Sequence, residues 1–372
     1  MIKTELCDML GIKYPLIQAG MGPYSTNRLA AAAANAGVLG IISTSGFSYL
    51  RRPNVEKDPG LSDLARTLTD GKGGTWYEQM KRAFYRVKDA TRDAGGVFGI
   101  NTMVAAEMSG LAREVIRAVI EVRDEDPEMK ERLRVIVTSA GDPLPWTDII
   151  KPSGLKWLHV VPSVRHAKRS ERAGVDVIIA SGQEGGGHVA WEPVHTMVLL
   201  PAVIAAVDTP VVGAGGFGSG PSLAAALALG AVGVQMGTRF LTTKESDFPQ
   251  IHKDYIVRGS ERDTQVARGF VGPLRWVKNE AAIELAQLTV SKAPGLYLGQ
   301  PDDLSTVAPE VMAKENEGFD ALFRGNGPKA LMPAGEVAGI VDDIPSVGEL
   351  VEKIMKEAEG IIRGLPARFI RD

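Results

Sequence analysis

Eight short apolar runs, separated by amphipathic stretches and ending at Met236, restrict the folds open to this chain more than any other feature. They are Pro15–Ala19, Val38–Ile42, Val97–Ile100, Arg134–Thr138, Trp157–Val161, Val175–Ala180, Pro210–Gly213 and Val232–Met236. None alternates cleanly between apolar and polar residues, as a half-solvated strand would. Such runs suit strands buried on both faces, and their alternation with helices suits a parallel sheet. Helices are expected over Asn27–Asn35, Trp76–Asp93, Met108–Arg123, Trp146–Lys151, Val164–Ala173, Thr196–Ala206 and Ser222–Leu229. The fold class read from this rhythm is α/β, a (β/α)8 TIM barrel. A doubly wound open sheet is the competitor, but it would not normally carry its phosphate loop so late in the chain.

That loop lies in residues 210–240, PVVGAGGFGSGPSLAAALALGAVGVQMGTRF. The seventh run breaks into Gly215, Gly216, Gly218 and Gly220, a helix pattern follows, and the eighth run stops at Gly237-Thr238. Bare backbone N–H groups at two adjacent strand ends, with a helix N-terminus beside them, make a nest for a phosphate. Barrel enzymes commonly hold phosphate after strands seven and eight, which is where this pair falls.

Residues 181–193, SGQEGGGHVAWEP, follow the sixth run and place three glycines before His188. A strand's C-terminal end is where barrel enzymes put catalytic groups, and an ordinary histidine can exchange a proton near neutral pH. Glu184 and His188 are the one close acid–imidazole pair in the sequence. His159, near the end of the fifth run, is read as a weaker candidate for the barrel mouth. His166, His195 and His252 read as helix-surface or capping residues. No HxxxH or HExxH spacing occurs, and Cys7 is the single cysteine, so no metal site is expected. Met21-Gly22 ends the first strand in a small-residue turn on which a flat ring could lie. Asn101 ends the third strand with an amide able to read a heterocycle's edge. Nest, glycine-lined floor and amide together describe a phosphorylated flat cofactor, and FMN fits best. A dinucleotide fits less well, because no GxGxxG follows the first strand.

Other classes are excluded by composition. The net charge is -3 with no long basic run, so no nucleic acid is expected as partner. The first residues lack a secretory signal, no apolar stretch reaches the roughly 18 residues of a membrane span, and the lone cysteine suits a cytoplasmic setting.

The motifs GQEGGGHVA, AGGFG and QMGTRF resemble the nitronate monooxygenase family, formerly the 2-nitropropane dioxygenases, and its relatives the flavin-dependent enoyl-acyl-carrier-protein reductases. The likeness covers Leu10 to Phe240 and returns at residues 332–345, MPAGEVAGIVDDIP. It implies FMN held by Met21, Gly22, Asn101, Gln183, Gly187, Gly215, Gly216, Gly218, Gly237 and Thr238. It also implies His188 as catalytic base, acting on alkyl nitronates or nitroalkanes with O2. The alternative it implies is NAD(P)H-dependent reduction of enoyl thioesters or quinones. The implied partners are a small-molecule substrate, with O2 or NAD(P)H as the second, and a homodimer is open. Val160 stands where the family commonly has a lysine.

Three units are expected. Residues 1–241 would form the FMN-binding barrel, with a long insertion at 43–75. Residues 242–325, lacking the βα rhythm, would form a mostly helical subdomain over the barrel mouth. Residues 326–372 would return to the barrel through a final helix, Ser346 to Arg363, whose apolar face includes Val347, Leu350, Val351, Ile354, Met355, Ile361 and Ile362.

Overall fold

The computed structural model describes residues 1–51, 59–301 and 307–370. Part of the expected insertion, positions 52–58, therefore lies outside the described residues. The strands in chain order are β1 Leu16–Gln18, β2 Leu39–Ser43, β3 Phe98–Met103, β4 Leu133–Ser139, β5 Lys156–Val161, β6 Val177–Ser181, β7 Gly187–His188, β8 Val211–Ala214, β9 Gly233–Met236, β10 Thr264–Arg268 and β11 Pro273–Val277. Eight of them close a barrel in the order β1-β2-β3-β4-β5-β6-β8-β9, every neighbouring pair parallel. Each of the eight apolar runs supplies one of these strands.

The missing polar alternation has its cause in two buried layers. One set of strand side chains, with Ile17, Leu39, Ile41, Val137, Leu158, Ile179 and Val212, packs inside the barrel. The N-terminal helix Glu5–Leu10 adds Leu6, Cys7 and Leu10 to that cluster. The alternate set, with Ile42, Phe98, Ile100, Ile136, Trp157 and Ile178, packs against the surrounding helices. With both faces dry, neither position of the alternation tolerates an unpaired polar group.

The last helix runs from Val347 to Phe369 and opens on a capping box, Ser346 with Glu349. It buries Val347, Leu350, Val351, Ile354, Met355 and Ala358 and packs on the helix Gly220–Ala228. Contact is close because the crossing residue is Gly220: a Cβ there would lie 2.3 Å from the Glu357 Cβ and 2.7 Å from the Ile354 carbonyl oxygen. Past Ala358 the helix outruns its neighbour, so Ile361 is only partly buried and Ile362 is exposed. The expected apolar face is thus shorter than its sequence pattern.

Residues 242–325 contain the helices Gln250–Val257, Glu280–Lys292 and Pro309–Phe323, and also the antiparallel hairpin β10–β11, which the βα reading left out. β11 pairs on its other side with β7, giving a small sheet in the order β10-β11-β7. Because β7 belongs to the loop after β6, this sheet attaches the hairpin to the C-terminal rim of the barrel. Both the interior and the overhang can be checked by urea unfolding. Leu158→Ala should lower stability by about 2–5 kcal/mol through lost burial and a residual cavity. Ile362→Ala should stay within about 0.5 kcal/mol of the unaltered chain.

Candidate active site

The C-terminal strand ends converge on a cavity of about 570 Å³. A larger hollow, about 730 Å³, lies between Pro221 and the outer face of the last helix, but no strand end reaches it and it is an open surface groove. The barrel cleft is the place where chemistry-bearing groups meet.

Its floor comes from the strand ends. Met21 and Gly22 follow β1, Asn101 stands on β3, Gly187 and His188 form β7, Gly215 and Gly216 follow β8, and Gly237 and Thr238 follow β9; all line the cleft. Gly215 and Gly216 take consecutive left-handed conformations, φ 79° and 81°. A Cβ on Gly215 would come within 2.6 Å of the Gly182 carbonyl oxygen, so no side chain fits this turn. The helix Gly220–Ala228 begins just beyond it. The Thr238 hydroxyl accepts the Gly335 N–H at 2.9 Å, which leaves the hydroxyl proton to be donated elsewhere.

Two of the expected residues sit apart from the cleft lining. The Gly218 N–H donates to the Ser222 hydroxyl at 3.1 Å, and a Cβ on Gly218 would lie 2.4 Å from Val337. Gly218 thereby joins the capping box that Ser219 and Ser222 form at the start of the helix Gly220–Ala228. The Gln183 carbonyl oxygen accepts from the Arg275 guanidinium at 3.1 and 2.8 Å. That guanidinium also meets Thr264 and Glu336, both at 3.0 Å, and so pins the loop after β6 to the hairpin.

His188 lies opposite Leu274 in the β7–β11 pairing. Its ring is exposed on the side that opens onto the cleft, and protein is packed densely behind and around it. Desolvation by that surrounding protein first, and then the positive charge of Arg268, lower its pKa from an ordinary 6.5 to about 4. His188 is therefore neutral at pH 7 and able to accept a proton.

The sequence pairing of Glu184 with His188 is not formed. Both Glu184 carboxylate oxygens accept the Thr196 N–H at 3.0 Å, and one also accepts the Thr196 hydroxyl at 2.9 Å. His195 Nδ1 lies 3.7 Å from the same carboxylate. Glu184 thus satisfies the start of the helix Thr196–Ile204, where the N-cap His195 makes no side-chain cap. His159 does not reach the cleft either. It alternates with Leu158 and Val160 along β5, packs under the helices, and its Nδ1 lies 2.7 Å from the Thr138 hydroxyl. Val160, the next residue, faces the cleft instead. His252 is fully buried rather than on a helix surface, with Nε2 3.0 Å from the Pro333 carbonyl oxygen, directly behind the cleft lining.

Sequence reasoning missed the second wall of the cleft. The hairpin supplies Phe270, Val271 and Leu274, and the helix Pro309–Phe323 supplies Met312, Glu315, Asn316 and Phe319. The spacing i, i+3, i+4, i+7 on that helix was the available signal, since it sets a carboxyl and an amide within an otherwise apolar stripe. Ser45, Ser48 and Tyr49, from the start of the long segment after β2, also line the cleft. Tyr49 stacks edge-on against Phe323 at 5.4 Å.

Comparison with known proteins gives a consistent picture. A family model described as nitronate monooxygenase matches residues 3–357. The chain is 30% identical over 96% of its length, and 96% of the relative's, to a Rhodococcus jostii protein named (3aS,4S,5R,7aS)-5-hydroxy-7a-methyl-1-oxo-octahydro-1H-indene-4-carboxyl-CoA dehydrogenase. It is 32% identical to a probable nitronate monooxygenase of Staphylococcus aureus, over 77% of this chain and 81% of that one. Among solved structures it resembles FabK from Thermotoga maritima, with a TM-score of 0.77 at 28% identity over 99% of this chain and 100% of that one.

The state of His188 can be read directly. An NMR titration of its imidazole, assigned with His188→Gln, should show a neutral ring throughout the neutral range and protonation only as pH falls toward about 4. A midpoint at the ordinary 6.5 would mean that neither the surrounding protein nor Arg268 depresses the imidazole's pKa.

Proposed function

The chain belongs to the nitronate monooxygenase family and is an oxidoreductase, and on that premise we propose that it uses FMN to exchange electrons between NAD(P)H and an acyl thioester. The observation that carries this reading is the second wall of the cleft. Met312, Phe319, Phe270, Val271 and Leu274 extend the site beyond its glycine floor into a long apolar surface, and Val160 adds an aliphatic group where a lysine is common. A few-carbon nitronate has little use for such a wall, whereas an acyl chain can be desolvated along it. The near full-length likeness to a protein named as a carboxyl-CoA dehydrogenase supports the same substrate class.

The residues present fit the cofactor. The Gly215–Gly216 cradle that a Cβ would fill, together with Gly237 and the free proton of the Thr238 hydroxyl, would hold the phosphate beside the helix start at Gly220. Met21 and Gly22 would lie under the ring, Gly187 would border it and Asn101 would meet its edge. When bound, FMN supplies reversible two-electron chemistry that no side chain offers. His188, neutral at pH 7, accepts the proton of the carbon next to the thioester carbonyl in the oxidative direction.

Oxidation of nitronates with O2 is the second reading, and the same neutral imidazole favours it, because the α-proton of a nitroalkane needs such a base. Anaerobic mixing distinguishes the two. Bleaching of the bound flavin by NADH or NADPH, with colour restored by an enoyl thioester, is expected. Bleaching by a nitronate and by neither nicotinamide would replace this reading with the second. His188→Ala should lower turnover by about 10²–10⁴-fold while FMN still binds, and an unchanged rate would remove His188 from the proton transfer.

A further inference from the structure

Glu315 is the anomaly in the second wall. It lines the cleft from the helix Pro309–Phe323 at 7% exposure, on the same face as Met312 and Phe319. An ionised carboxylate is unfavourable in such surroundings unless it is paired and hydrogen-bonded. Its Oε2 accepts the Phe270 N–H. The facing charged side chain is Arg268 on β10, whose guanidinium also donates to the carbonyl oxygens of Gly269 and Phe270 and lies 5.0 Å over the Trp191 ring. From β7 the cleft receives His188, neutral above about pH 4, and from Glu315's own helix the Asn316 amide. Burial outweighs the Phe270 amide and the Arg268 charge, and pushes the carboxyl up to about 7. Near neutrality a substantial share of molecules therefore carry a proton on Glu315, in a wall whose other side chains are apolar apart from the Asn316 amide.

We propose that Glu315 determines specificity: its protonated carboxyl donates a hydrogen bond to an oxygen carried on the acyl chain, so that the cleft selects oxo- or hydroxyacyl thioesters over saturated hydrocarbon ones. This rests on the thioester reading above. A chain lacking that oxygen would press hydrocarbon against the acid and leave the acid's proton without an acceptor from the ligand, and buried polar groups discriminate most strongly in that way.

The test uses FMN-loaded protein and two probes, acetoacetyl-CoA and butyryl-CoA, with binding followed by calorimetry on either side of pH 7. Unaltered protein should prefer the oxo chain by about tenfold below pH 7, the effect of one net hydrogen bond. The preference should fade as pH rises through about 7 and the donor is lost. Glu315→Gln keeps a donor and can still accept the Phe270 N–H, so its preference should persist without pH dependence. Glu315→Leu should bind both probes alike. Infrared difference spectra should show a protonated-carboxyl band that titrates near 7 and disappears in Glu315→Gln. Equal preference in the unaltered protein and Glu315→Leu, or absence of the band, overturns the role of Glu315 alone. Failure of both thioesters to bind any of the three proteins overturns the thioester reading and this role with it.

Discussion

A two-residue strand carries much of the organisation of this molecule. Gly187 and His188 form backbone bonds with Arg275 and Leu274, and that short antiparallel pairing joins the barrel to the material that follows it. On one side the loop after β6 gains a fixed course across the barrel rim. On the other, the hairpin β10–β11 is brought over the cleft, where it meets the helix Pro309–Phe323. Arg275 reinforces the join from within β11 by holding the Gln183 carbonyl and the Glu336 carboxylate at once. Without the pairing, His188 would sit on a glycine-rich loop with little to orient it.

The same join sets the electrostatics. Arg268 stands at the end of β10, within reach of both His188 and Glu315. Glu315 is buried, and His188, though exposed to the cleft, has protein packed around it; such desolvation drives an imidazole toward its neutral base and a carboxyl toward its neutral acid. Arg268 lowers both, reinforcing the shift at His188 and opposing it at Glu315. The outcome is a proton acceptor and a proton holder in one cleft, a separation by surroundings that acid–base sites commonly use.

The barrel was legible because its strands are buried on both faces, so they wrote predominantly apolar runs such as Val38–Ile42. The glycine turn after β8 was legible because backbone geometry at Gly215 leaves no room for a side chain. The hairpin was not. β10 reads TQVAR and β11 reads PLRWV, and their arginines, which look solvated in sequence, are buried at 1% and 6% exposure through carbonyl and carboxylate partners elsewhere in the chain. Glu184 misled for a related reason: its neighbour in sequence was His188, but its partner in space is the unsatisfied start of the helix Thr196–Ile204. His159 was misjudged by one residue of strand register, which sends a side chain to the opposite face. These are long-range satisfactions of polar groups, and local pattern carries no record of them.

Cradle and wall come from separate stretches of the chain. The Gly215–Gly216 turn is shaped by backbone that tolerates almost no substitution, whereas Met312, Glu315, Asn316 and Phe319 project from an ordinary helix that accepts many side chains. Evolution can therefore reshape the wall by rewriting two turns of one helix, without disturbing the turn on the opposite side of the cleft. Divergent specificities among proteins of this architecture are a natural product of that division of labour.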